Sequence, residues 1–189
     1  METTFYFVRH AQPNYENHDD AARELTAKGR RDRELVTRFL ADKHIGVVLS
    51  SPYRRAVETV APFARRHGLA VVPVDGFRER MVGPEWIADF TAFSKRQWAD
   101  FSYRRGGGES LGDVQARNLA ALDTALERYG GSKIVVGSHG TALSTLVHHF
   151  DASFGYDSFV KIKDLMPWIV KLTFDGAALK DMEFFDLFA

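Results

Sequence analysis

The sequence contains no cysteine, and this absence excludes several kinds of chemistry. Without thiols the chain has no disulfides, no thiolate-ligated zinc and no cysteine nucleophile. If the protein is a covalent catalyst, its nucleophile must therefore be a hydroxyl, a carboxylate, an amine or an imidazole.

The chain also lacks net charge and long apolar runs. Its 25 basic residues balance 25 acidic ones, which disfavours a surface that binds nucleic acid but leaves room for a local basic pocket. No apolar run reaches about 18 residues, and the N-terminus lacks the basic and apolar regions of a signal peptide. We therefore expect a soluble, cytoplasmic protein that has neither a nucleic-acid nor a membrane partner.

What is present is enough apolar material for a sizeable core. The 189 residues suit a single domain, and 45% of them are hydrophobic. Strand-like runs alternate with helical patterns along the chain, and this predicts an α/β sandwich with a largely parallel sheet. The runs cover 5–8, 45–49, 70–74 and 133–137, and a terminal hairpin is expected around Asp175-Gly176.

Turn and cap residues predict where several helices begin and end. Ser51-Pro52 is read as an N-cap followed by a proline at the first helical position, and Pro62 is expected to kink or restart that helix. Ser110 and Asp113 form a capping-box pattern, and Gly130-Gly131 ends the helix that follows.

The stretch 77–108 is less regular and rich in aromatic residues. It is expected to form a helical cap inserted into the single domain. Trp86, Trp98 and Tyr103 could line a substrate cleft there, but the core of the cap is the preferred interpretation.

Three segments place chemically capable residues after predicted strands. The first strand ends at Arg9-His10, the second at Ser50-Ser51 with Arg54-Arg55 close behind, and the run 133–137 at Ser138-His139-Gly140. Each of these is unremarkable alone. Because ligands bind at the carboxyl ends of parallel strands, their joint placement favours one shared site.

Such a cluster is suited to a phosphoryl group. The arginine fork matches phosphate oxygens in pairs, and backbone N–H groups at a helix start, as at Gly140, add donors. A neutral imidazole can attack phosphorus and later release the phosphoryl group to water.

Five segments in order closely resemble the histidine phosphatase superfamily, which has the phosphoglycerate mutase-like fold. They read RHAQ, LTAKG, SSPYRRAVETV, GGGES and VGSHGTAL, and the resemblance spans roughly residues 4–150. It implies a three-layer α/β/α sandwich and the phosphatase branch of the superfamily, working without a metal or another cofactor.

The resemblance also implies roles for individual residues. His10 would be the nucleophile that becomes phosphohistidine, and Arg9 and Arg55 would hold the phosphoryl oxygens. His139 would stabilise the charge during transfer. Glu79 would protonate the leaving-group oxygen and later activate water.

The loop after His10 departs from the family pattern. Glu16 stands where the family often has asparagine, so Gln12, Asn14 and Asn17 are the candidates for auxiliary phosphate contacts, with Gln12 the preferred one. The run 18–20, His-Asp-Asp, is interpreted as a solvated loop rather than a metal site.

The leading functional hypothesis is a phosphatase that hydrolyses a phosphomonoester, either a small molecule or a phosphoprotein, through His10. A phosphoglycerate-type mutase is the first alternative, since the same residues would serve it. The second is a regulatory module that binds a phosphorylated ligand without turnover. Neither the physiological substrate nor the oligomeric state is encoded in a readable pattern.

Overall fold

The structure is a computed structural model that describes residues 1–84 and 87–189. Its strands are β1 (Glu2–Arg9), β2 (Val47–Ser50), β3 (Val71–Pro73), β4 (Lys133–Ser138), β5 (Trp168–Asp175) and β6 (Ala178–Asp186). Its α-helices are α1 (Ala27–Leu40), α2 (Arg54–Arg66), α3 (Phe90–Ala99), α4 (Leu111–Tyr129), α5 (Gly140–Phe150) and α6 (Tyr156–Ile162), and a 3₁₀ turn covers Asp75–Phe77.

The described strands form one sheet in the order β3-β2-β4-β1-β5-β6. The first four of these pair in parallel, whereas β5 runs antiparallel to β1 and to β6. Gly176 closes the β5–β6 hairpin with φ +59°, a backbone conformation that glycine adopts without strain. The largely parallel sheet and the terminal hairpin are thus confirmed.

Helices cover both faces of the sheet, so the three-layer arrangement is confirmed. Side chains of β1 alternate between two apolar cores, with Phe5 and Phe7 in one and Tyr6 and Val8 in the other. The first core includes residues of α4 and α5, and the second includes residues of α1 and α2. Burial on both faces explains why β1 is almost continuously apolar.

Both predicted ends of α4 are confirmed, but the predicted start of α2 is not. The capping box of Ser110 and Asp113 is present, and α4 ends directly before Gly130. Helix α2 begins at Arg54 with Tyr53 as its N-cap, so the prediction that Ser51 and Pro52 start it is wrong. The same helix continues through Pro62 to Arg66 without restarting.

The stretch 77–108 contains α3. Trp98 on α3 is almost fully buried and packs against Phe154 and Phe159, so it belongs to the core, while Trp86 lies outside the described residues. That this stretch acts as a cap on a single domain stays a prediction. Among the described residues, no helix is long and apolar enough to cross a bilayer.

Candidate active site

The carboxyl ends of β2, β4 and β1 lie side by side and gather the predicted site residues. The His10 amide donates to the Ser138 carbonyl at 3.1 Å, and the Ser51 amide donates to the Gly137 carbonyl at 2.8 Å. These hydrogen bonds continue the sheet beyond the strands. They bring the residue after β1 and the residue after β2 against the end of β4.

His10 is buried, and its hydrogen bonds define its tautomer. Nδ1 lies 2.8 Å from the Ala11 carbonyl oxygen, which can only accept, so Nδ1 carries the proton. In the neutral ring Nε2 is therefore the atom with a free electron pair. That pair accepts a hydrogen bond from Nε of Arg55 at 3.2 Å.

Arg55 lies on the first turn of α2 and is buried. While its Nε faces His10, its Nη1 donates to the Asp20 carbonyl and its Nη2 lies 3.1 Å from the Asp20 carboxylate. Its guanidinium also stacks at 5.2 Å over the ring of Tyr53. These contacts orient the arginine toward the imidazole.

Arg9 reaches the site from the end of β1. Its Nη1 donates to the carbonyl oxygens of Ile162 at 2.7 Å and Leu165 at 3.3 Å. A Cβ on residue 140 would lie 3.0 Å from the Arg9 guanidinium, so any residue other than glycine would require the guanidinium to shift by a few tenths of an ångström. Nε of Arg9 is buried and has no hydrogen-bond partner among the described residues.

His139 faces His10 edge-on, with 5.2 Å between the ring centroids. Its Nε2 lies 2.7 Å from the hydroxyl of Ser51. Its Nδ1 is buried and lacks a hydrogen-bond partner in the part of the chain that the structure describes. Ser51 also accepts from the Tyr53 amide at 3.2 Å, which fixes the hydroxyl in place.

Both histidines are held in the neutral state. Burial lowers the pKa of His10 well below its usual value, and the charges of Arg55 and Arg9 lower it further. The pKa of His139 is also well below its usual value. Burial is the main cause, and the charges of Arg55 and His10 lower it further. At neutral pH the Nε2 electron pair of His10 is therefore available for attack.

Glu79 lies at the N-terminus of α5. Its carboxylate accepts hydrogen bonds from the backbone amides of Thr141 at 3.1 Å, Ala142 at 3.0 Å and Arg80 at 2.8 Å. A carboxylate offers about four acceptor positions, so one remains for a further donor. The position also suits a negative charge, because the helix dipole is positive there.

A second ion-pair cluster fixes the backbone that carries Glu79. Arg117 of α4 donates to the Glu79 carbonyl at 3.0 Å and to the Gly76 and Arg78 carbonyls. Glu109 pairs with both Arg117 and Arg78 and accepts from the Met81 amide. Although burial alone would raise it, these hydrogen bonds lower the pKa of Glu109 to about 2.

The three loop residues predicted to contact phosphate form side-chain hydrogen bonds with other residues. They are Gln12, Asn14 and Asn17. The Gln12 side-chain carbonyl accepts from the Thr26 hydroxyl at 2.9 Å, next to the start of α1. The amides of Asn14 and Asn17 each donate to Glu24 at 2.8 Å, and they lower its pKa to about 2. Phosphate contacts by Gln12, and by the backbone of Gly140, stay predictions.

Sequence reasoning placed Ser51 at the site but not its contact with His139, and it missed Asp20 and the pair Glu109–Arg117. Asp20 was assigned to a solvated loop, yet its carboxylate meets Arg55. Nothing in the sequence places that loop over α2, since the pairing follows from the tertiary fold. Glu109, by contrast, lies within the GGGES segment, so its position in a family-like motif was a usable signal.

The chain matches a known protein family over most of its length. Residues 5–176 match the histidine phosphatase superfamily (branch 1), which is nearly the whole chain. The chain belongs to the histidine phosphatase superfamily. The expectation drawn from the five sequence segments is confirmed.

Two curated relatives illustrate the spread of this superfamily. An uncharacterized protein of Mycobacterium tuberculosis is 35% identical over 131 residues, covering 65% of this chain and 63% of its own length. The probable phosphoglycerate mutase GpmB of Yersinia enterocolitica is 32% identical over 131 residues, covering 65% and 61%. The match thus spans a little under two thirds of either relative.

Solved structures of low sequence identity share the fold. A phosphoserine phosphatase of Entamoeba histolytica, in complex with 3-phosphoglyceric acid, superposes with a TM-score of 0.77 over 99% of this chain and 100% of its own, at 18% identity. A mycobacterial glucosyl-3-phosphoglycerate phosphatase gives a TM-score of 0.74 over 98% and 99%, at 21% identity. Six strands and flanking helices are therefore arranged here as in these two solved structures.

Proposed function

We propose that this histidine phosphatase superfamily member hydrolyses a small phosphomonoester through a phosphohistidine formed on Nε2 of His10. The observation that carries the proposal is a pair of buried nitrogen atoms beside that nucleophile. Nε of Arg9 and Nδ1 of His139 lack partners among the described residues. Buried polar atoms normally find partners, and anionic phosphoryl oxygens would supply them.

In the first half-reaction the Nε2 electron pair of His10 attacks phosphorus. The hydrogen bond from Arg55 opens, the N–P bond forms and the P–O bond to the leaving group breaks. Glu79, which carries a proton on Oε2 at this stage, gives it to the departing oxygen. Arg9, Arg55 and His139 stabilise the charge on the three phosphoryl oxygens during the transfer.

In the second half-reaction water attacks the phosphorus atom. Glu79 takes the proton from that water, the N–P bond breaks, and inorganic phosphate leaves. Neutral His10 is restored with its proton still on Nδ1, where the Ala11 carbonyl holds it. The same carboxyl group therefore serves as acid and then as base.

Hydrolysis should be measured on a panel that includes p-nitrophenyl phosphate, 3-phosphoglycerate and phosphoserine. We expect His10→Ala to lower kcat by about 10³-fold or more, because the nucleophile is lost. His149→Ala is the matched control, since this exposed histidine lies at the far end of α5. Near-native turnover by His10→Ala would contradict the proposal.

The same panel separates hydrolysis from the alternatives. The name of the GpmB relatives makes a mutase the alternative to test, and a mutase would convert 3-phosphoglycerate into its isomer instead of releasing phosphate. A binding module would do neither and would form no phosphohistidine. We expect release of inorganic phosphate as the main product.

A further inference from the structure

The loop between β1 and α1 places an internal anion on the arginine that faces His10. Oδ1 of Asp20 lies 3.1 Å from Nη2 of Arg55 and 3.2 Å from Nη1 of Arg23. One carboxylate oxygen thus bridges two guanidinium groups that come from different parts of the chain. Two guanidinium groups that converge on one point are suited to bind a single oxygen of an anion.

Arg23 is fixed in this position rather than free in solvent. Its side chain is only 17% exposed, and its Nε donates to the Asn17 carbonyl at 2.7 Å. Its guanidinium lies 5.5 Å from the centroid of the Tyr15 ring. These contacts do not involve Asp20, so Arg23 has partners other than that carboxylate.

Asp20 differs from the arginines in how firmly it is held. Its side chain is 42% exposed, whereas that of Arg55 is 3% exposed. A buried guanidinium needs an anionic partner, because an unpaired buried charge is costly. A carboxylate at the surface of a loop can meet that need at rest and still move away when a stronger anion enters.

We propose that the position of Asp20 Oδ1 is a phosphate-oxygen subsite formed by Arg55 and Arg23, with Asp20 as the internal anion that the substrate displaces. This inference rests on the proposed function, and it adds Arg23 to the residues that bind the substrate. Arg23 also lies close enough to His10 for its charge to contribute to the lowered pKa of that imidazole.

Displacement has a consequence for the nucleophile. At rest Arg55 lies between Asp20 and His10, and it donates to both. When a phosphoryl oxygen replaces Asp20, the guanidinium turns toward the phosphoryl group and releases the Nε2 electron pair. Substrate binding and exposure of the nucleophile are thus one event.

The test is calorimetric binding of inorganic phosphate to the full chain. We expect Asp20→Asn to bind phosphate at least about fivefold more tightly than the wild type, because the competing charge is gone. Asp19→Asn is the matched control. It removes a neighbouring carboxylate that accepts from the loop amides of Ala21 and Ala22, and the affinity of this variant for phosphate should stay within about twofold of the wild type.

A second set of variants tests the contribution of Arg23 to phosphate binding. Arg23→Met should weaken phosphate binding at least about fivefold, and Arg23→Lys should lie in between, since it restores the charge without the fork. Arg54→Met controls for the loss of a positive charge close to Arg55, because Arg54 is exposed and paired with Glu58. Its affinity should change by less than about twofold.

Two results would overturn the inference. One is unchanged or weaker phosphate binding by Asp20→Asn, which would make Asp20 a support for Arg55 instead of a competitor. The other is equal behaviour of Arg23→Met and Arg54→Met. Failure of the proposed function is seen separately, as hydrolysis that does not depend on His10, since phosphate binding requires no nucleophile.

Discussion

At the scale of single residues, the protonation state of His10 decides what the site can do. The Ala11 carbonyl keeps the proton on Nδ1, while burial and two arginines oppose a second proton. The ring is therefore a neutral imidazole whose unprotonated Nε2 faces Arg55. This is the arrangement that phosphoryl transfer to histidine requires.

The proposed role of Glu79 as proton donor can be tested with two substrates whose leaving groups differ. Glu79→Gln should lower kcat for an alkyl phosphate such as phosphoserine by about 10²- to 10³-fold, because the alkoxide leaving group needs a proton. The loss should be much smaller for p-nitrophenyl phosphate, whose leaving group departs as a stable anion. Steady-state kinetics on the two substrates measures the difference.

Asp75→Asn is the matched control for that experiment, since Asp75 is an exposed carboxylate in the same segment. It should leave both rates within about twofold of the wild type. Equal losses on the two substrates by Glu79→Gln would contradict a proton-donor role.

Residue identities were the part of the site most open to sequence reasoning. The positions of His10 and His139 follow from strand ends that a parallel sheet must bring together, and the family resemblance selects Arg55 from the pair Arg54-Arg55. Asp20 and Arg23 could not be found in this way. Their meeting with Arg55 depends on how an irregular loop crosses α2, and no periodic pattern encodes that path.

At the scale of elements, the 3₁₀ turn and the segment after it are fixed by α4. Arg117 of α4 donates to the carbonyls of Gly76, Arg78 and Glu79. Glu109 pairs with Arg117 and accepts from the Met81 amide. The ion pair is thus the link between the long helix and the proposed acid-base residue.

Glu109→Gln should lower the free energy of unfolding by about 2–4 kcal/mol, because it leaves the mostly buried Arg117 without its anion and Arg78 with only the exposed Asp75. Urea denaturation measures this loss. The variant should also lose more activity on phosphoserine than on p-nitrophenyl phosphate, since the effect acts through the position of Glu79. Equal loss on the two substrates would argue for a purely structural role.

Glu34→Gln is the control for charge removal. Glu34 pairs with Arg66 at the surface, and exposed ion pairs contribute at most about 1 kcal/mol. If the two variants were equally stable, the cluster around Glu109 would not have the assigned importance.

The elements themselves were largely predictable, and the exceptions have physical causes. β1 and β4 are apolar on both faces because helices cover both sides of the sheet, so their runs stand out. The start of α2 did not follow the Ser-Pro pattern because the Ser51 hydroxyl bonds the Tyr53 amide and His139 instead of capping the helix. The contact between Ser51 and His139 thus competes with the preference of a Ser-Pro pair for the start of a helix.

At the scale of the whole molecule, two buried neutral histidines make stability depend on pH. In the unfolded chain a histidine gains its proton near pH 6.5, whereas in the folded protein His10 and His139 do so only at much lower pH. Between these limits the unfolded state binds more protons. The free energy of unfolding should therefore fall as pH falls below about 6.5.

The expected slope is up to about 1.4 kcal/mol per pH unit for each histidine. Urea denaturation at several pH values from about 7.5 to 5.5 measures it, in a range above that in which Glu109 takes up its proton. His10→Gln/His139→Gln should flatten the dependence. An unchanged slope in this double variant would contradict the assignment.

Whether His10 accepts the phosphoryl group can be measured in a single turnover that is quenched rapidly in alkali. Wild-type protein mixed with ³²P-labelled phosphoserine and quenched in alkali should carry label on the peptide that contains His10. The label should be stable in base and lost in acid, as expected for phosphohistidine, and absent from His10→Ala. Turnover without any labelled protein, or label that persists in His10→Ala, would contradict the account.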